Sequence, residues 1–430
     1  MNGMARRGFA IAALVALLPT AVACTSEGGS NSPGVKATVP GVTDTEIVFG
    51  AHAPLTGPAA AAAAGIYPAV KAYFDYVNSK GGVNGRKITY KYVDDGGNPA
   101  TTQTVVKKLV GQDKVFAMLS GFGTPTHSAV LDFLTQEKVP DLFVASGSLN
   151  WNQPTKYPGT FGYDVDYNTE AKILANYIKA TWPGKKVCHF GQKDDFGTDS
   201  LAGFEQVLGA GAVVAKQTYV PTNTDVTAQV GALKEAGCEV VALATVPGFT
   251  ALTLGKAAAL GFKPQWVASG GGGDYNSVAA GLGADKGQLE GLITAGNLPI
   301  PSDTANSWNV LFRKINDTYN KGAPYDANAI YGMSVGYLTV QVLQAAGKDL
   351  TREGLIKAVE RGGYRGPGLT PLQYSATSHA GYSGIRLSKV TAGVQDYFGL
   401  VYTTDTKTGE VKEDTDPETA PAPNGIPTDS

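Results

Sequence analysis

Short apolar runs alternate with amphipathic segments along most of the chain, and this alternation restricts the possible folds more than any other feature. Apolar runs near residues 47–51, 88–93, 115–119 and 142–144 are separated by segments whose apolar residues recur at helical spacing. Strands and helices in this order predict a parallel sheet covered by helices. Because the pattern restarts after residue 165, we predict an α/β fold of two Rossmann-like lobes with parallel sheets.

Amphipathic helices return late in the chain, after the second series of strands. They are predicted near residues 304–321 and 326–346, and a shorter helix begins at Arg352. Their late position indicates that the chain returns to the first lobe. The expected limits are residues 43–165 with 296–370 for lobe 1, and residues 166–295 with 371–404 for lobe 2.

The N-terminal segment has the order of a secretory signal. Two arginines precede an apolar run over residues 8–23, which ends in small residues followed by Cys24. A cysteine in this place resembles the lipobox of bacterial lipoproteins, whose cysteine carries a lipid after cleavage. The alternative is a transmembrane helix, but the run covers about 16 residues and a span needs roughly 20. We therefore expect a signal peptide over residues 1–23, a lipid on Cys24 and a flexible linker over residues 24–42, outside the cytoplasm.

The C-terminal segment, residues 405–430, is rich in Thr, Asp, Glu and Pro. A segment of this composition has little apolar surface to bury, so burial does not offset the entropy lost on ordering. We predict a disordered tail.

Two cysteines remain if Cys24 carries a lipid, and both lie in predicted strands. Cys188 is within the apolar run 186–190, and Cys238 opens the run 238–243. An even pair of cysteines outside the cytoplasm is compatible with a disulfide. We expect the two strands to be parallel neighbours and predict a disulfide, with two separate buried thiols as the alternative.

Charge and motif content argue against several function classes. The 35 Lys and Arg residues nearly balance the 37 Asp and Glu residues, so no basic face for nucleic acid is expected. The four histidines are scattered without a metal-binding spacing, and the sequence has neither a Gly-x-Ser-x-Gly elbow nor a Walker lysine. We therefore expect no enzymatic activity, no metal and no cofactor.

The loops after the predicted strands are candidate ligand-binding segments, because open parallel sheets bind ligands beyond the carboxyl ends of their strands. These loops are rich in glycine and small hydroxyl residues, which offer backbone N–H groups to a carboxylate or another acceptor. The same composition is typical of ordinary turns, so each loop alone is weak evidence. The candidate loops are residues 54–58, 120–124, 145–148, 194–197 and 269–275.

Six short motifs follow one another in the order in which a single protein family carries them. They are Pro-Gly-Val-Thr-Asp-Thr-Glu-Ile at 40–47, Pro-Leu-Thr-Gly-Pro at 54–58, Gly-Gly-Val-Asn-Gly-Arg at 81–86, Asp-Asp-Phe-Gly at 194–197, Pro-Tyr-Asp-Ala at 324–327 and His-Ala-Gly at 379–381. Together they resemble the leucine/branched-chain amino-acid-binding proteins of ABC importers, which are type I periplasmic binding proteins. The resemblance runs from about Pro40 to Tyr402 and implies two lobes joined by three crossings that close around a ligand.

The resemblance also implies roles for individual residues. Ser120 would hydrogen-bond a carboxylate or another acceptor of the ligand, and Ala145 would act through its backbone. Ser146 or Gly147 would stand where a small hydroxyl residue contributes, and Phe196 matches an aromatic residue that covers the ligand from the second lobe. The full set of ligand-binding residues that we predict is Thr56, Ser120, Gly121, Phe122, Ala145, Ser146, Gly147, Phe196, Gly270 and Asp274.

One departure from the family concerns the charge that would bind an amino acid. Amino-acid binders place a glutamate after the fourth strand of the second lobe, where it pairs with the ligand's ammonium. The matching stretch near Gly270 has no acid before Asp274, and an ammonium buried without a partner is costly. A plain α-amino acid would therefore require Asp274 or Asp195 as a substitute. Trp151 is a candidate for a wall of the site or for the core.

The function that the resemblance implies is solute capture for import. The protein would be an extracytoplasmic, monomeric solute-binding protein that is anchored to the cell membrane by the lipid on Cys24. It would bind a branched-chain amino acid or a related amide or carboxylate and deliver it to an ABC permease with its ATPase. The alternative is a ligand sensor of the same fold coupled to a membrane receptor, and the sequence leaves both open.

Overall fold

The computed structural model describes residues 39–57, 59–416 and 419–428. The predicted signal peptide, Cys24 and most of the linker lie outside the described residues. Within these residues, none of the helices combines the length and the apolar character needed to cross a bilayer.

The first sheet consists of parallel strands, and the strand next to one edge is largely buried. Phe49 of that strand is fully buried and lies opposite Tyr90 on one neighbour and Ala117 on the other. The strands are β1 (Glu46–Ala53), β2 (Lys87–Asp94), β3 (Ala117–Leu119), β4 (Asp141–Val144) and β5 (Thr160–Gly162), in the order β2-β1-β3-β4-β5.

The second sheet begins parallel and ends with an antiparallel edge. Its strands are β6 (Val187–Gln192), β7 (Val213–Tyr219), β8 (Val240–Ala244), β9 (Gln265–Ala268), β10 (Ile293–Gly296), β11 (Gly384–Thr391), β12 (Val394–Thr403) and β13 (Lys412–Asp414), in the order β13-β12-β11-β10-β9-β8-β6-β7. Pairings from β6 to β10 are parallel, and those from β10 to β13 are antiparallel. The predicted α/β fold with parallel sheets in two lobes is confirmed, and the antiparallel edge adds to it.

Helices cover both sheets. They are α1 (Ala60–Ala63), α2 (Ile66–Ser79), α3 (Pro99–Gly111), α4 (Thr124–Ser128), α5 (Leu131–Gln136), α6 (Tyr167–Thr181), α7 (Asp195–Leu208), α8 (Thr227–Glu235), α9 (Pro247–Ala259), α10 (Tyr275–Leu282), α11 (Ser307–Tyr319), α12 (Ala327–Ala346) and α13 (Arg352–Glu360). The late helices α11 and α12 pack on α2, and α13 packs on α12. The chain thus returns to the first sheet after β10, which supports the lobe limits that we propose.

Small residues let α12 lie close to α2. A side chain at Gly332 would place its Cβ 2.2 Å from the Ile66 carbonyl oxygen, and one at Gly336 would come 2.8 Å from the Tyr73 ring. The close approach buries α12 around most of its circumference, so it is a buried helix and not the amphipathic helix predicted over residues 326–346.

Aspartates cap the helices that open the second lobe. Asp166 accepts the Thr169 N–H at 2.8 Å at the start of α6, and Asp194 accepts the Phe196 N–H at 2.9 Å at the start of α7. Because these aspartates satisfy free N–H groups of the first turn, α6 begins at Tyr167 and α7 begins at Asp195.

The predicted disulfide is confirmed. Cys188 lies in β6 and Cys238 lies just before β8, and these strands are parallel neighbours. The two sulfur atoms are bonded, and the Cα atoms are 5.8 Å apart. The bridge joins two strands of the second lobe near their N-terminal ends.

The C-terminal segment differs from the predicted disordered tail. It contains β13 and then runs to α2 and α11 of the first lobe. The Lys172 ammonium donates to three backbone carbonyls of the turn at residues 405–409, at 2.7–3.1 Å. Trp308 Nε1 and the Tyr73 hydroxyl donate to carbonyls further along, at 2.8 and 2.7 Å. Donors on the folded body therefore hold this polar segment, which composition alone could not indicate.

Candidate functional site

A cavity of about 770 Å³ lies where the carboxyl ends of the two sheets meet. Its volume is within the range of pockets that bind small organic molecules. The lining segments come from both sheets. After the first sheet's strands they include residues 122–126 and 145–146; after the second sheet's strands they include residues 246–247 and 270–271.

The structure brings six of the ten predicted residues to this cavity. The ones that line it are Phe122, Ala145, Ser146, Phe196, Gly270 and Asp274. The other four, Thr56, Ser120, Gly121 and Gly147, lie outside the cavity wall. The predicted loops therefore lie at the cavity. Within the loops, some predicted residues line the cavity and others do not.

The four residues outside the wall have structural neighbours of their own. Thr56 is exposed and donates from Oγ1 to Asp94 at 2.7 Å. A Cβ on Gly121 would lie 2.6 Å from His52 Nε2, and one on Gly147 would lie 2.6 Å from the Val165 carbonyl oxygen. Both glycines thus allow close packing behind the cavity.

Ser120 is fully buried at the end of β3, with a positive φ of 57°. Its carbonyl oxygen accepts the Tyr67 hydroxyl at 3.2 Å. Within the described part of the chain, its own Oγ has no hydrogen-bond partner. The ligand contact implied for Ser120 stays a prediction.

A hydroxyl cluster forms the first lobe's polar wall. Ser146 Oγ lies 2.8 Å from Thr124 Oγ1 and 3.2 Å from the Tyr167 hydroxyl. Trp151 is buried behind this wall and donates from Nε1 to the Ser146 carbonyl at 2.7 Å. Trp151 therefore supports the Ser146 loop from the core and does not line the cavity.

An aromatic pair adjoins this hydroxyl cluster. The rings of Tyr167 and Phe196 are 4.3 Å apart between centroids and inclined by 31°. Both line the cavity, and Phe196 is held at the start of α7 by its N–H bond to Asp194. An apolar group of a ligand would fit against these rings.

Two carboxyl groups, Glu170 and Asp164, also line the cavity. Glu170 is 8% exposed and accepts the Gly270 N–H at 2.6 Å, and Asp164 accepts the Tyr331 hydroxyl at 3.3 Å. Burial raises the pKa of Glu170 to about 7, and the nearby charge of Asp164 adds to the shift against the Gly270 hydrogen bond. Burial also raises the pKa of Asp164 to about 7.

Basic side chains do not balance these acids. Of the described residues that line the cavity, none is Lys, Arg or His. Asp274, the acid suggested by the sequence, caps α10 by accepting the Ser277 N–H at 2.8 Å and its Oγ–H at 2.6 Å. Asp195, the other suggestion, does not line the cavity and accepts the Asn150 amide at 2.7 Å.

The sequence-based reasoning missed Asp164, Tyr167, Glu170 and Tyr331. The first three belong to the crossing from β5 into α6 or to the first turn of α6, and not to a strand-end loop. The signal available in the sequence was the concentration of acids over residues 164–170. Acids at a helix start are common, because they favour the helix dipole, so the signal did not stand out.

A chain of buried polar groups lies behind the first lobe's loops. Asp95 Oδ2 is 2.8 Å from His52 Nδ1, His52 Nε2 is 2.9 Å from His127 Nδ1, and His127 Nε2 is 2.7 Å from Asp141 Oδ2. The donor and acceptor roles of the ring nitrogens in these contacts depend on the histidine tautomers. Burial lowers the pKa of His52. Among the described residues, no group of three or more His, Cys, Asp or Glu could hold a metal ion.

Known proteins with a similar sequence share this architecture. A sequence profile described as periplasmic binding protein matches residues 46–395. The Leu/Ile/Val-binding protein homolog 3 of Brucella melitensis is 28% identical over 206 residues, which is 46% of this chain and 53% of that protein. The alignment thus spans about half the length of that relative.

Solved structures agree with the fold. A branched-chain amino acid ABC transporter protein from Thermus thermophilus with bound valine superposes with a TM-score of 0.73 at 20% identity, covering 84% of this chain and 97% of that one. A fatty acid ABC transporter substrate-binding protein from Thermomonospora curvata gives a TM-score of 0.73 at 22% identity, covering 85% and 95%. At these identities the likeness shows the fold alone.

The family assignment rests on the profile, which covers well over half of the chain. The resemblance seen in the six motifs is confirmed, and the relatives are solute-binding proteins and not enzymes. The family's location is extracytoplasmic. This chain belongs to the periplasmic binding protein family.

Proposed function

We propose that the protein is the lipid-anchored solute-binding component of an ABC importer. It captures a small organic solute, a branched-chain amino acid or a related amide or carboxylate, between its lobes and delivers it to a permease. The solute lies in the cavity between the two sheets, and the energy for import comes from a partner ATPase. Cys24 would hold the receptor beside the permease, which raises its local concentration there.

The observation that carries this proposal is the composition of the cavity wall. Hydroxyl groups of Ser146 and Thr124 stand on one lobe, and the rings of Tyr167 and Phe196 adjoin them. Small-molecule sites commonly combine an apolar wall with a few fixed polar groups. The structural neighbours include one protein with bound valine and one named for fatty acids, so the fold accommodates different solutes. The residues of the cavity wall must therefore determine which solute binds.

Binding is tested by calorimetric titration of the purified protein with panels of amino acids, amides and carboxylates. We expect at least one solute to bind, and Phe196→Ala to weaken its binding about tenfold or more, because the ring covers the apolar part of the ligand. Val214→Ala, an exposed apolar residue outside the cavity, is the control and should bind normally. A folded protein that binds no solute of the three panels would refute the proposal.

The anchor and the transport partner need separate tests. Mass spectrometry of the membrane fraction should find acyl chains on Cys24, and Cys24→Ala should release the protein. Cells that carry Cys24→Ala should then take up the bound solute more slowly than wild-type cells. If uptake does not depend on the protein while a membrane receptor responds to the solute, the sensor function replaces the transport function.

A further inference from the structure

We propose that the cavity takes a solute with a positively charged nitrogen group, and that Glu170 and Asp164 accept that group. This inference rests on the proposed function, because it concerns the same cavity. It names the charge that the solute carries and the side chains that select it.

The position of Glu170 explains why the chain has no acid near Gly270. A Cβ on Gly270 would lie 3.0 Å from Glu170 Oε1 and 2.6 Å from the Ala295 carbonyl oxygen. The Ala295 carbonyl therefore leaves no room for a side chain at residue 270, and the Glu170 carboxylate lies beside the same position. The carboxylate reaches this place from the first turn of α6 and is fixed there by the Gly270 N–H at 2.6 Å.

Asp164 adds a second negative group. It lies in the crossing between the lobes and is held by the Tyr331 hydroxyl of α12 at 3.3 Å. Burial is the main reason why the pKa of each acid is raised. The charge of Asp164 also raises the pKa of Glu170. A cation in the cavity near both acids would stabilise their charged forms.

No basic group of the described chain serves as that cation. The cavity wall contains no Lys, Arg or His within the described residues. Lys172 is the nearest base along the helix, but residues two apart on a helix do not face each other. Its ammonium is occupied by the carbonyls of the turn at 405–409. The balancing charge must therefore come from the solute.

Three probes with one carbon skeleton test the inference by calorimetry. L-Leucine carries both charges, 3-methylbutylamine lacks the carboxylate, and 4-methylpentanoate lacks the ammonium. We expect the two amines to bind at least about tenfold more tightly than 4-methylpentanoate, because only they supply a charged hydrogen-bond partner. Glu170→Gln should weaken both amines about tenfold or more and leave 4-methylpentanoate unchanged or tighter.

Further variants separate the inference from a folding effect. Asp164→Asn should shift the preference in the same direction as Glu170→Gln. Asp326→Asn is the matched control, since its carboxylate caps α12 and does not line the cavity. We expect it to change amine affinity less than about threefold. Thermal unfolding of each variant checks that it is folded.

The failures of the two proposals are distinguishable. If 4-methylpentanoate binds as tightly as leucine and Glu170→Gln leaves the preference unchanged, solute binding stands and the cation inference is overturned. If the folded protein binds none of the three probes and no solute of the wider panels, the proposed function falls and the inference falls with it.

Discussion

Two sets of acids in this molecule have opposite surroundings. Behind the first lobe's loops, Asp95 and Asp141 each receive an N–H from a histidine, and a threonine hydroxyl donates to each at 2.9 and 3.1 Å. In the cavity, Glu170 receives one backbone N–H and Asp164 one tyrosine hydroxyl. The first set has histidine partners within the fold, although Asp141 Oδ1 has no hydrogen-bond partner among the described residues, whereas the second set lacks a cation.

The difference indicates what each set contributes. A buried acid whose donors belong to the fold stabilises or orients the fold, and removing a donor leaves a costly charge. A buried acid without a cation destabilises the empty protein, and this cost is relieved only when a cation arrives. We infer that the first set positions the loops and that the second selects the solute.

The largest expected effect on stability comes from removing a histidine of the first set. His52→Ala removes the donor to Asp95 and leaves a buried carboxylate, so the free energy of unfolding should fall by about 3–5 kcal/mol in urea denaturation. The preference among the three probes should not change in the folded fraction.

His189→Ala is the matched control for that prediction. His189 is equally buried, and burial lowers its pKa to about 4, so the side chain is neutral. Removing it strands no carboxylate and should cost roughly half as much as His52→Ala. Equal losses of unfolding free energy in the two variants would contradict the claim that the stranded carboxylate causes the larger loss in His52→Ala.

The second prediction is that removing an acid from the cavity increases the free energy of unfolding. Glu170→Gln keeps an oxygen for the Gly270 N–H but removes the charge, so it should stabilise the empty protein near pH 8 by up to roughly 3 kcal/mol. The measurement is the free energy of unfolding of both proteins without ligand. Destabilisation of the variant near pH 8 would show that Glu170 already has an adequate partner.

The pH dependence of that gain follows from the raised pKa of Glu170, about 7. Below the unfolded-state value of roughly 4.3 the carboxyl group is protonated in both states, so the two proteins should have equal stability. As the pH rises toward 7, the unfolded chain loses the proton first and the wild type loses stability. The gain of Glu170→Gln should therefore grow from pH 4 to 7 and then level off.

The third prediction concerns the buried base two residues further along α6. Lys172→Met leaves carbonyls of the turn at 405–409 without their donor. It should lower the free energy of unfolding by about 1–3 kcal/mol and make the C-terminal segment more sensitive to protease. The pH-dependent gain of Glu170→Gln should be the same in this background. A changed gain would mean that Lys172 does balance the cavity acids.

The smallest effect is expected at Asp274. Asn is as good a helix cap as Asp, so Asp274→Asn should change the free energy of unfolding by less than about 0.5 kcal/mol. A larger change that depends on pH would indicate that Asp274, like Glu170 and Asp164, lacks a cation partner. Denaturation at two pH values distinguishes these outcomes.

Much of the fold follows from patterns that the sequence displays. The alternation of apolar runs and amphipathic segments predicted β1 to β4 and a second series of parallel strands, because burial on both faces requires continuous apolar runs. The short strands β5 and β10 were not predicted. The Cys188–Cys238 pair followed from neighbouring strands. The ordered C-terminal segment was missed, because Lys172 and the other donors that hold it are far away in sequence.

The site was predictable as a set of loops but not as a set of side chains. The rule that ligands lie at the carboxyl ends of strands located Ala145, Ser146 and Phe196. It could not show that Ser120 lies outside the cavity wall, at a position with a positive φ. Glu170 was missed for a different reason: only the folded chain reveals a buried acid without a base.

Proton release on binding tests the central claim most directly. L-Leucine or 3-methylbutylamine is titrated by calorimetry near pH 7 in two buffers of different ionisation enthalpy, with wild type and Glu170→Gln. A cation placed at the two acids lowers their pKa values, so the wild type should release about half to one proton per bound ligand, and the variant should release less. Binding of either amine without proton release, or with proton uptake, would contradict the claim that Glu170 and Asp164 accept the cation.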